Sequence, residues 1–258
     1  MTLASAFDST APTFERHRGL PDGVAEAIRA AVLAAVAAPS PRLLDVGAGT
    51  GRIGRPFVAA GDDYVGLDLS LGMLRAFARG HRARLVQADG ARLPFRDATF
   101  DAVILIQVFG GMGGWRKVLA EARRVLRAAG AIIVGRTVAP PDGVDARMKW
   151  RLDQILDVMG VERNRANVRD DVLRLLAQSG RGMHVDAAAW TAERTPRGFL
   201  ERHATGARFA ALPAPIKDEA LRRLGAWAES SFGSLDTAIR EPHSFELQVF
   251  RFQTGPPT

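Results

Sequence analysis

Residues 42–54 constrain the fold of this chain more than any other segment. They read RLLDVGAGTGRIG, an apolar run that leads directly into a glycine-rich turn and then into a helical pattern. Glycine adopts the left-handed backbone conformations that a tight turn needs, and it lets the backbone approach a ligand at the N-terminus of the next helix. The segment therefore predicts a strand, a ligand-binding loop and a helix in succession.

Short apolar runs and helical patterns alternate on both sides of this loop. The apolar runs predict strands over 43–46, 64–67, 84–88, 102–108 and 131–135. The patterns between them predict helices over 51–60, 70–79 and 115–127. Strands that alternate with helices at this spacing favour an α/β fold of the doubly wound, Rossmann-like type, with helices on both faces of a mostly parallel sheet. Ligands of such sheets bind beyond the carboxyl ends of the strands.

The alternation breaks after Thr137, where long helical patterns follow one another. Two later strands, over 183–191 and 245–252, bring the predicted sheet to seven. We interpret 1–258 as one domain, with a helical cap formed by the N-terminal arm and the late insertions. Its predicted parts are the arm and first helix (1–41), the cofactor-binding core (42–136), the cap (137–180 and 195–242) and the final strands (183–194 and 243–253).

The glycine loop contains two overlapping fingerprints. Gly47-x-Gly49-x-Gly51, preceded by Asp45, resembles the first motif of S-adenosylmethionine methyltransferases, whereas Gly49-x-Gly51-x-x-Gly54 matches the dinucleotide pattern of dehydrogenases. The dinucleotide pattern requires its first glycine at the strand end, and the match begins two residues too late. A carboxylate at Asp45 also suits an ammonium better than a pyrophosphate. The register and the charge both favour a phosphate-free ligand.

A phosphate-binding loop of the nucleotide-hydrolase type does not fit this segment. The glycine spacing from Gly49 is present, but Arg55 and Pro56 stand where that loop needs a lysine and a hydroxyl.

Two further carboxylates follow the next two predicted strands. Asp68 ends the second strand, where an acid can accept both hydroxyls of a ribose. Asp89 follows the third strand, where a carboxylate can accept from an adenine amine. Carboxyl ends of neighbouring parallel strands meet at one edge of a sheet, so these acids are expected to lie near the glycine loop.

A four-part pattern makes the resemblance to a known family specific. The stretch LPFRDATFD at 93–101 precedes the fourth strand, and Asp68-Leu69-Ser70 with Met73-Leu74 follows the second. Together with the glycine loop and Asp89, this order resembles class I S-adenosylmethionine-dependent methyltransferases similar to those of ubiquinone and menaquinone biosynthesis. The resemblance implies S-adenosyl-L-methionine as the cofactor and methyl transfer to a small-molecule acceptor.

The resemblance also implies which residues bind the cofactor. The implied residues are Arg18, Asp45, Gly47, Ala48, Gly49, Asp68, Leu69, Met73, Asp89, Gly90, Ala91 and Gln107. The chain departs from the family where a Pro-Gly-Gly turn usually precedes strand five, because it has Ala128-Ala129-Gly130. In the N-terminal arm it has Phe7 and Phe14 where tyrosines are common.

The remaining composition predicts little additional chemistry. The chain has no cysteine, which excludes thiolate metal sites and cysteine nucleophiles and fits a cytoplasmic protein. Its five histidines include no i, i+4 pair, and we predict no metal site. His17 and His203 are either acceptor-contacting or packing residues, and the sequence assigns no catalytic base. Trp150 and Phe199 either line an acceptor pocket or fill the core.

Three other functions stay open. The net charge of +7 keeps open an RNA or protein methyltransferase, although the arginines are scattered and form no basic groove. The lack of an evident catalytic base keeps open a non-catalytic cofactor-binding module, and the match from Gly49 to Gly54 keeps open a nicotinamide-dependent oxidoreductase. We expect no membrane association, and the sequence does not predict the acceptor or the oligomeric state.

Overall fold

The computed structural model describes residues 19–109, 114–162, 168–204 and 212–252. These residues form eight helices and seven strands. The helices are α1 (Val24–Val36), α2 (Arg55–Ala59), α3 (Leu71–Ala78), α4 (Trp115–Val125), α5 (Val144–Val158), α6 (Val168–Ser179), α7 (Pro196–Ala204) and α8 (Ala214–Phe232). The strands are β1 (Leu43–Val46), β2 (Tyr64–Asp68), β3 (Arg84–Gln87), β4 (Phe100–Ile106), β5 (Leu126–Val138), β6 (Arg181–Arg194) and β7 (Ile239–Arg251).

The seven strands form one sheet in the order β3-β2-β1-β4-β5-β7-β6. β1 pairs in parallel with β2 on one side and with β4 on the other, and the parallel pairing continues to β3 and to β5. The chain therefore reverses its direction of progress across the sheet at β1, and ligands of such sheets bind at this switch point. The predicted Rossmann-like, mostly parallel sheet of seven strands is confirmed.

The chain divides into two compact units. The first, which we call the sheet unit, comprises the described residues within Leu20–Arg136, Asn167–Ala188 and Phe245–Thr258. The second, the helical unit, comprises those within Met1–Gly19, Thr137–Ala166 and Ala189–Ser244. None of the helices in the described ranges combines the length and the apolar character that a membrane span requires.

One core cluster of the sheet unit lies between the strands and two helices. Val103, Leu105 and Ile132 of the sheet are fully buried against α4 and α6, to which Leu119 and Val172 belong. The sequence predicts α6 as part of the cap (137–180), whereas in the structure it belongs to the sheet unit. Val172 and Leu176 are one helical turn apart and both buried, so this face of α6 packs into the sheet core.

The core of the helical unit lies between α5, α7 and α8. Met148, Phe199 and Leu224 are buried there, one from each helix. Phe199 therefore fills a core rather than lining a pocket, and its ring stacks on His203 at a centroid distance of 3.7 Å. Trp150 is 60% exposed on α5.

Two predicted helix boundaries differ from the structure for local reasons. α2 begins only at Arg55, because Gly51 has a φ of 86° and belongs to the turn. α4 ends at Val125, because Leu126 already pairs with Phe100 as the first residue of β5. Ala129 has a φ of 63°, a left-handed conformation that is uncommon for residues other than glycine. It stands where related proteins usually have the first glycine of a Pro-Gly-Gly turn.

The LPF segment is held to α4 by one arginine. The Arg124 guanidinium donates to both carboxylate oxygens of Glu121 at 2.7 Å, and also to Asp97 and to the carbonyls of Phe95 and Leu93. Hydrogen bonding to Arg124 lowers the pKa of Glu121. The four-part pattern thus includes a segment with a structural role, because its carbonyls and Asp97 hold the turn that leads into β4.

Replacing Arg124 with alanine is expected to lower the free energy of unfolding by about 2 kcal/mol, because several charge-assisted hydrogen bonds are lost together. Lysine should not restore stability, since an ammonium cannot make the two-pronged contact with Glu121. Urea unfolding checks both variants. Lys117→Ala, at an exposed position of the same helix, is the control and should change the stability by less than ~0.5 kcal/mol.

Candidate functional site

The glycine loop lies at the switch point of the sheet, immediately after β1. The backbone N–H groups of Gly47 and Ala48 donate to the carbonyl of Leu67 at 2.7 and 3.0 Å, which fixes the start of the loop to the end of β2. Gly47, Gly49 and Gly51 all have positive φ values, of 84°, 57° and 86°. The loop conformation is therefore one that glycine adopts without strain.

Asp68 joins the loop to the next strand. One carboxylate oxygen accepts from the backbone N–H of Gly49 at 2.8 Å, and the other accepts from the N–H of Ser70 at 2.9 Å. Ser70 in turn caps α3 by accepting from the N–H of Met73 at 3.1 Å. The charge of Asp68 is thus held at the carboxyl end of β2 and beside the glycine loop.

Asp89 lies on the neighbouring strand end. Asp68 pairs with Gln87 in the sheet, and the carbonyl of Asp68 accepts from the N–H of Ala88 at 3.1 Å. The exposed Asp89 side chain accepts from the N–H of Ala91 at 2.9 Å, which closes a turn that contains Gly90. The structure therefore brings Asp68, Asp89, Gly90 and Ala91 to one edge of the sheet, as the sequence predicts.

Three other predicted site residues surround the same edge. Leu69 is 47% exposed directly after β2, whereas Met73 is only 3% exposed. Gln107 directly follows β4, and its φ of 55° is unusual for a residue other than glycine. The side chain of Gln107 accepts a hydrogen bond from Arg52, which lies in the glycine loop. Arg18 lies outside the described residues.

Asp45 has a partner that the sequence does not predict. The residue is only 3% exposed and accepts a hydrogen bond of 2.6 Å from the Tyr64 hydroxyl, and its place near the ammonium of a ligand stays a prediction. Tyr64 belongs to a buried aromatic cluster, with ring centroids 5.5 Å from Phe57 and 6.2 Å from Phe77. Asp45 therefore lies beneath the glycine loop, on the face of β1 that this cluster covers.

Burial has a large effect on the Asp45 carboxyl group. Desolvation raises its pKa from the ordinary value of 3.8 to about 7, the hydrogen bond from Tyr64 partly opposes this shift, and the charge of Asp68 adds to it. Sequence reasoning missed Tyr64 as the partner. An acid within the otherwise apolar strand LLDV is the signal that could have found it, because a buried carboxyl group needs a hydrogen-bond partner.

Among the described residues of the sheet unit, no histidine side chain has a recorded contact with the glycine loop, Asp68 or Asp89. His184 Nε2 lies 3.0 Å from the Asp186 carboxylate, and Nδ1 lies 2.8 Å from the Gln248 amide. His184, Asp186 and Glu246 each have one nitrogen or oxygen atom of a kind that can bind a metal ion, and these three atoms lie within 4.8 Å of one another. Protein groups thus occupy both ring nitrogens of His184.

A matched pair of glycine substitutions tests the constraint on the loop. Gly47→Ala would place its Cβ 2.3 Å from Val108 Cγ1 in addition to the strained φ, so we expect a loss of about 2 kcal/mol in the free energy of unfolding. Gly61→Ala has a similar φ of 76° with no heavy atom within 4 Å, and it should cost only about 1 kcal/mol. Urea unfolding measures both, and equal losses would contradict the close contact with Val108.

Comparison with known proteins agrees with this arrangement. Residues 44–134 match the family described as "Methyltransferase domain". A demethylmenaquinone methyltransferase of Thermobifida fusca is 31% identical over 206 residues, which cover 73% of this chain and 86% of that protein. The chain belongs to the class I S-adenosylmethionine-dependent methyltransferases. The family resemblance seen in the sequence is confirmed.

Other relatives match over a shorter part of their length. A demethylmenaquinone methyltransferase of Renibacterium salmoninarum is 37% identical over 147 residues, covering 55% of this chain and 61% of that protein. The chain thus spans about three-fifths of the length of such curated relatives. The crystal structure of the YcgJ protein from Bacillus subtilis has a TM-score of 0.56 at 19% identity, covering 89% of this chain and 99% of that one. That likeness concerns the fold alone.

Proposed function

We propose that the protein transfers a methyl group from S-adenosyl-L-methionine to a small-molecule acceptor. The observation that carries this proposal is the hydrogen bond between the Gly49 N–H and Asp68, which joins the glycine loop to an acid at the switch point of the sheet. Family membership supports the cofactor. A cytoplasmic location and the absence of nucleic-acid and membrane partners are part of the proposal.

The residues present fit this cofactor. A Cβ added at Gly49 would meet only the Gly47 carbonyl oxygen, at 3.9 Å, so space is open beside the loop. Asp68 is proposed to accept from the ribose hydroxyls, and each of its oxygens can accept more than one hydrogen bond. Asp89, Gly90 and Ala91 would surround the adenine together with Met73 and Leu69. Gly47, Ala48 and Gln107 would contact the methionine part.

Two residues have less direct roles in the proposal. Asp45 is proposed to support the loop from beneath as a positioning residue, because its carboxyl group is bonded to Tyr64. Arg18 remains a proposed contact of the cofactor carboxylate on the basis of the family resemblance alone.

When bound, the cofactor supplies an activated methyl group on a positively charged sulfur. The protein's part in such an in-line displacement is to align the acceptor and to exclude water. The Gly49–Asp68 hydrogen bond and the Arg52–Gln107 contact hold the loop in place before a ligand arrives, which lowers the ordering cost of binding.

Calorimetric titration of the intact protein tests the first requirement of this function. S-adenosylmethionine and S-adenosylhomocysteine are expected to bind with dissociation constants on the order of micromolar, a range common for cofactors and substrates. NAD should not bind at the same concentrations. Absence of binding at millimolar S-adenosylmethionine would overturn the proposal, and NAD binding would favour an oxidoreductase.

Labelled methyl transfer distinguishes the acceptor classes. Transfer from methyl-labelled S-adenosylmethionine to a pool of cell metabolites is expected, with no transfer to total RNA or protein. Salt-dependent RNA binding together with labelled RNA would instead indicate a nucleic-acid substrate. Cofactor binding without any labelled product would indicate a non-catalytic module.

A further inference from the structure

The helical unit has a groove along the seam between α5 and α8. Its volume is about 500 Å³, which is in the range of small-molecule sites. The lining residues of α5 form one stripe of that helix, and they are Arg151, Gln154, Ile155 and Val158. The lining residues of α8 are Arg222, Arg223, Ala226, Trp227 and Ser230. The whole groove therefore lies within one compact unit.

Part of the lining is aromatic and apolar. The half-buried Trp227 ring packs edge-on against Phe232, with ring centroids 5.9 Å apart, and this contact restrains the indole. Val158, on the α5 side of the groove, is 81% exposed. An aromatic face and an exposed aliphatic side chain at one groove provide apolar surface that a flat ligand can cover.

The charged side chains that line the groove are three arginines, and none of its described lining residues is acidic. Arg222 and Arg223 share a single carboxylate, that of Glu219. Arg222 donates to it from Nε at 2.8 Å and from Nη2 at 2.7 Å, and Arg223 donates from Nε at 2.6 Å. These hydrogen bonds lower the pKa of Glu219 to about 2, so the carboxylate is ionised at neutral pH. Both outer nitrogens of Arg223 make no hydrogen bond to any described residue.

Arg151 has no carboxylate partner among the described residues. Its Nη1 donates to the amide oxygen of Gln154 at 3.0 Å, and its guanidinium carbon lies 5.9 Å from the centroid of the Trp227 ring. The Nε atom is buried without a partner, whereas Nη2 is accessible and makes no hydrogen bond within the described ranges. Three guanidinium charges thus meet one carboxylate at the groove, because α5 and α8 bring together arginines that are scattered in the sequence.

We propose that this groove binds an aromatic small molecule that carries one carboxylate group. Nη2 of Arg151 and the outer nitrogens of Arg223 would donate to the carboxylate, whose geometry matches a guanidinium. The aromatic ring of the ligand would pack on Trp227 and cover Val158. A cationic ligand would be repelled by the surplus positive charge. The inference does not depend on the proposed function, because no residue of the glycine loop lines the groove.

Three naphthalenes that differ in one substituent test this site. Naphthalene-2-carboxylate is the anion, naphthalene-2-methanol is the uncharged analogue, and 2-(aminomethyl)naphthalene is the cation. Ligand-detected NMR should show the carboxylate binding with a dissociation constant on the order of 1 mM, as its size allows. The alcohol and the amine should bind at least ~10-fold more weakly. Raising sodium chloride from about 50 to about 500 mM should weaken the carboxylate at least ~3-fold, because salt screens charges at a surface groove.

The tryptophan signals locate the binding. In protein labelled with ¹⁵N, naphthalene-2-carboxylate should shift the indole N–H signal of Trp227, which is identified by its loss in Trp227→Phe. The signal of Trp115, which is buried in the core of the sheet unit, should stay unchanged. An unshifted Trp227 signal at saturating carboxylate, or equal binding of the three naphthalenes, would overturn the proposal.

Arg151→Gln and Arg197→Gln are a matched pair of variants. Each removes one positive charge from the helical unit, but Arg197 does not line the groove and pairs with Asp236. Arg151→Gln should weaken binding of naphthalene-2-carboxylate at least ~5-fold, whereas Arg197→Gln should change it less than ~2-fold. If Arg151→Gln does not fold, Arg223→Gln is expected to show the same loss, and its side chain is 43% exposed. Equal losses in the groove variant and in Arg197→Gln would overturn the proposal, because net charge alone would then explain them.

Discussion

Replacing Asp68 with alanine is expected to weaken S-adenosylmethionine binding about 100-fold, or by about 3 kcal/mol. The substitution removes the proposed acceptor of the ribose hydroxyls. It also leaves the Gly49 and Ser70 N–H groups without their present partner, so that the loop is no longer held in its binding conformation. Titration calorimetry of the variant measures the loss.

Asp63→Ala is the matched control for this result. Asp63 lies directly before the opposite, amino end of β2 and pairs with Arg84, so a like charge is removed beside the other end of the strand. Its pair is exposed and contributes little stability, and cofactor affinity should change less than ~2-fold. A comparable loss of affinity in both variants would mean that overall charge, rather than the position of Asp68, governs binding.

Asp68→Asn refines the same test. An amide has only one acceptor oxygen, so it cannot accept from both the Gly49 and the Ser70 N–H. We therefore expect this nearly isosteric variant to lose at least ~10-fold in affinity and about 1 kcal/mol in the free energy of unfolding. An asparagine variant with full affinity would contradict the proposed role of the carboxylate.

The fold can be predicted from the sequence where local signals agree. β1 follows the predicted bounds of 43–46, because an apolar run, a glycine turn and a helix succeed one another within 13 residues. β5 cannot be delimited in this way, since its first residues are held by pairing with Phe100, a contact between distant parts of the sequence. The packing of α6 is not predictable for a similar reason. Its pattern predicts an apolar face, but it does not predict whether that face packs against the sheet or against other helices.

The spacing of the motifs predicts which site residues lie at the ends of strands. Strand ends are determined by local sequence, so Asp68 and Asp89 are expected at the edge of the sheet where the structure has them. The partner of a side chain depends on which face of the strand it occupies and on what covers that face, and this is why the hydrogen bond between Asp45 and Tyr64 is not predicted.

Replacing Asp45 with asparagine is expected to abolish a strong pH dependence of stability. The pKa of Asp45 is about 7 in the folded protein and near 3.8 when the group is exposed. Between these values the folded state holds a proton that the unfolded state releases, so the free energy of unfolding falls as the pH rises. Between pH 5 and pH 8 the titration of Asp45 should lower the free energy of unfolding by about 3 kcal/mol. The asparagine variant should lack this decline, because its side chain does not titrate.

Urea unfolding of both proteins at pH 5 and pH 8 isolates this contribution, because all other titrating groups are common to the two. Asparagine can still accept the hydrogen bond from Tyr64, so the advantage of the variant should grow with pH. Tyr64→Phe provides an opposite test. It removes the hydrogen bond that holds the pKa of Asp45 down, and the decline in stability should therefore extend to higher pH. An Asp45→Asn protein whose stability changes with pH as much as the original would show that this carboxyl group is ionised in the folded state throughout.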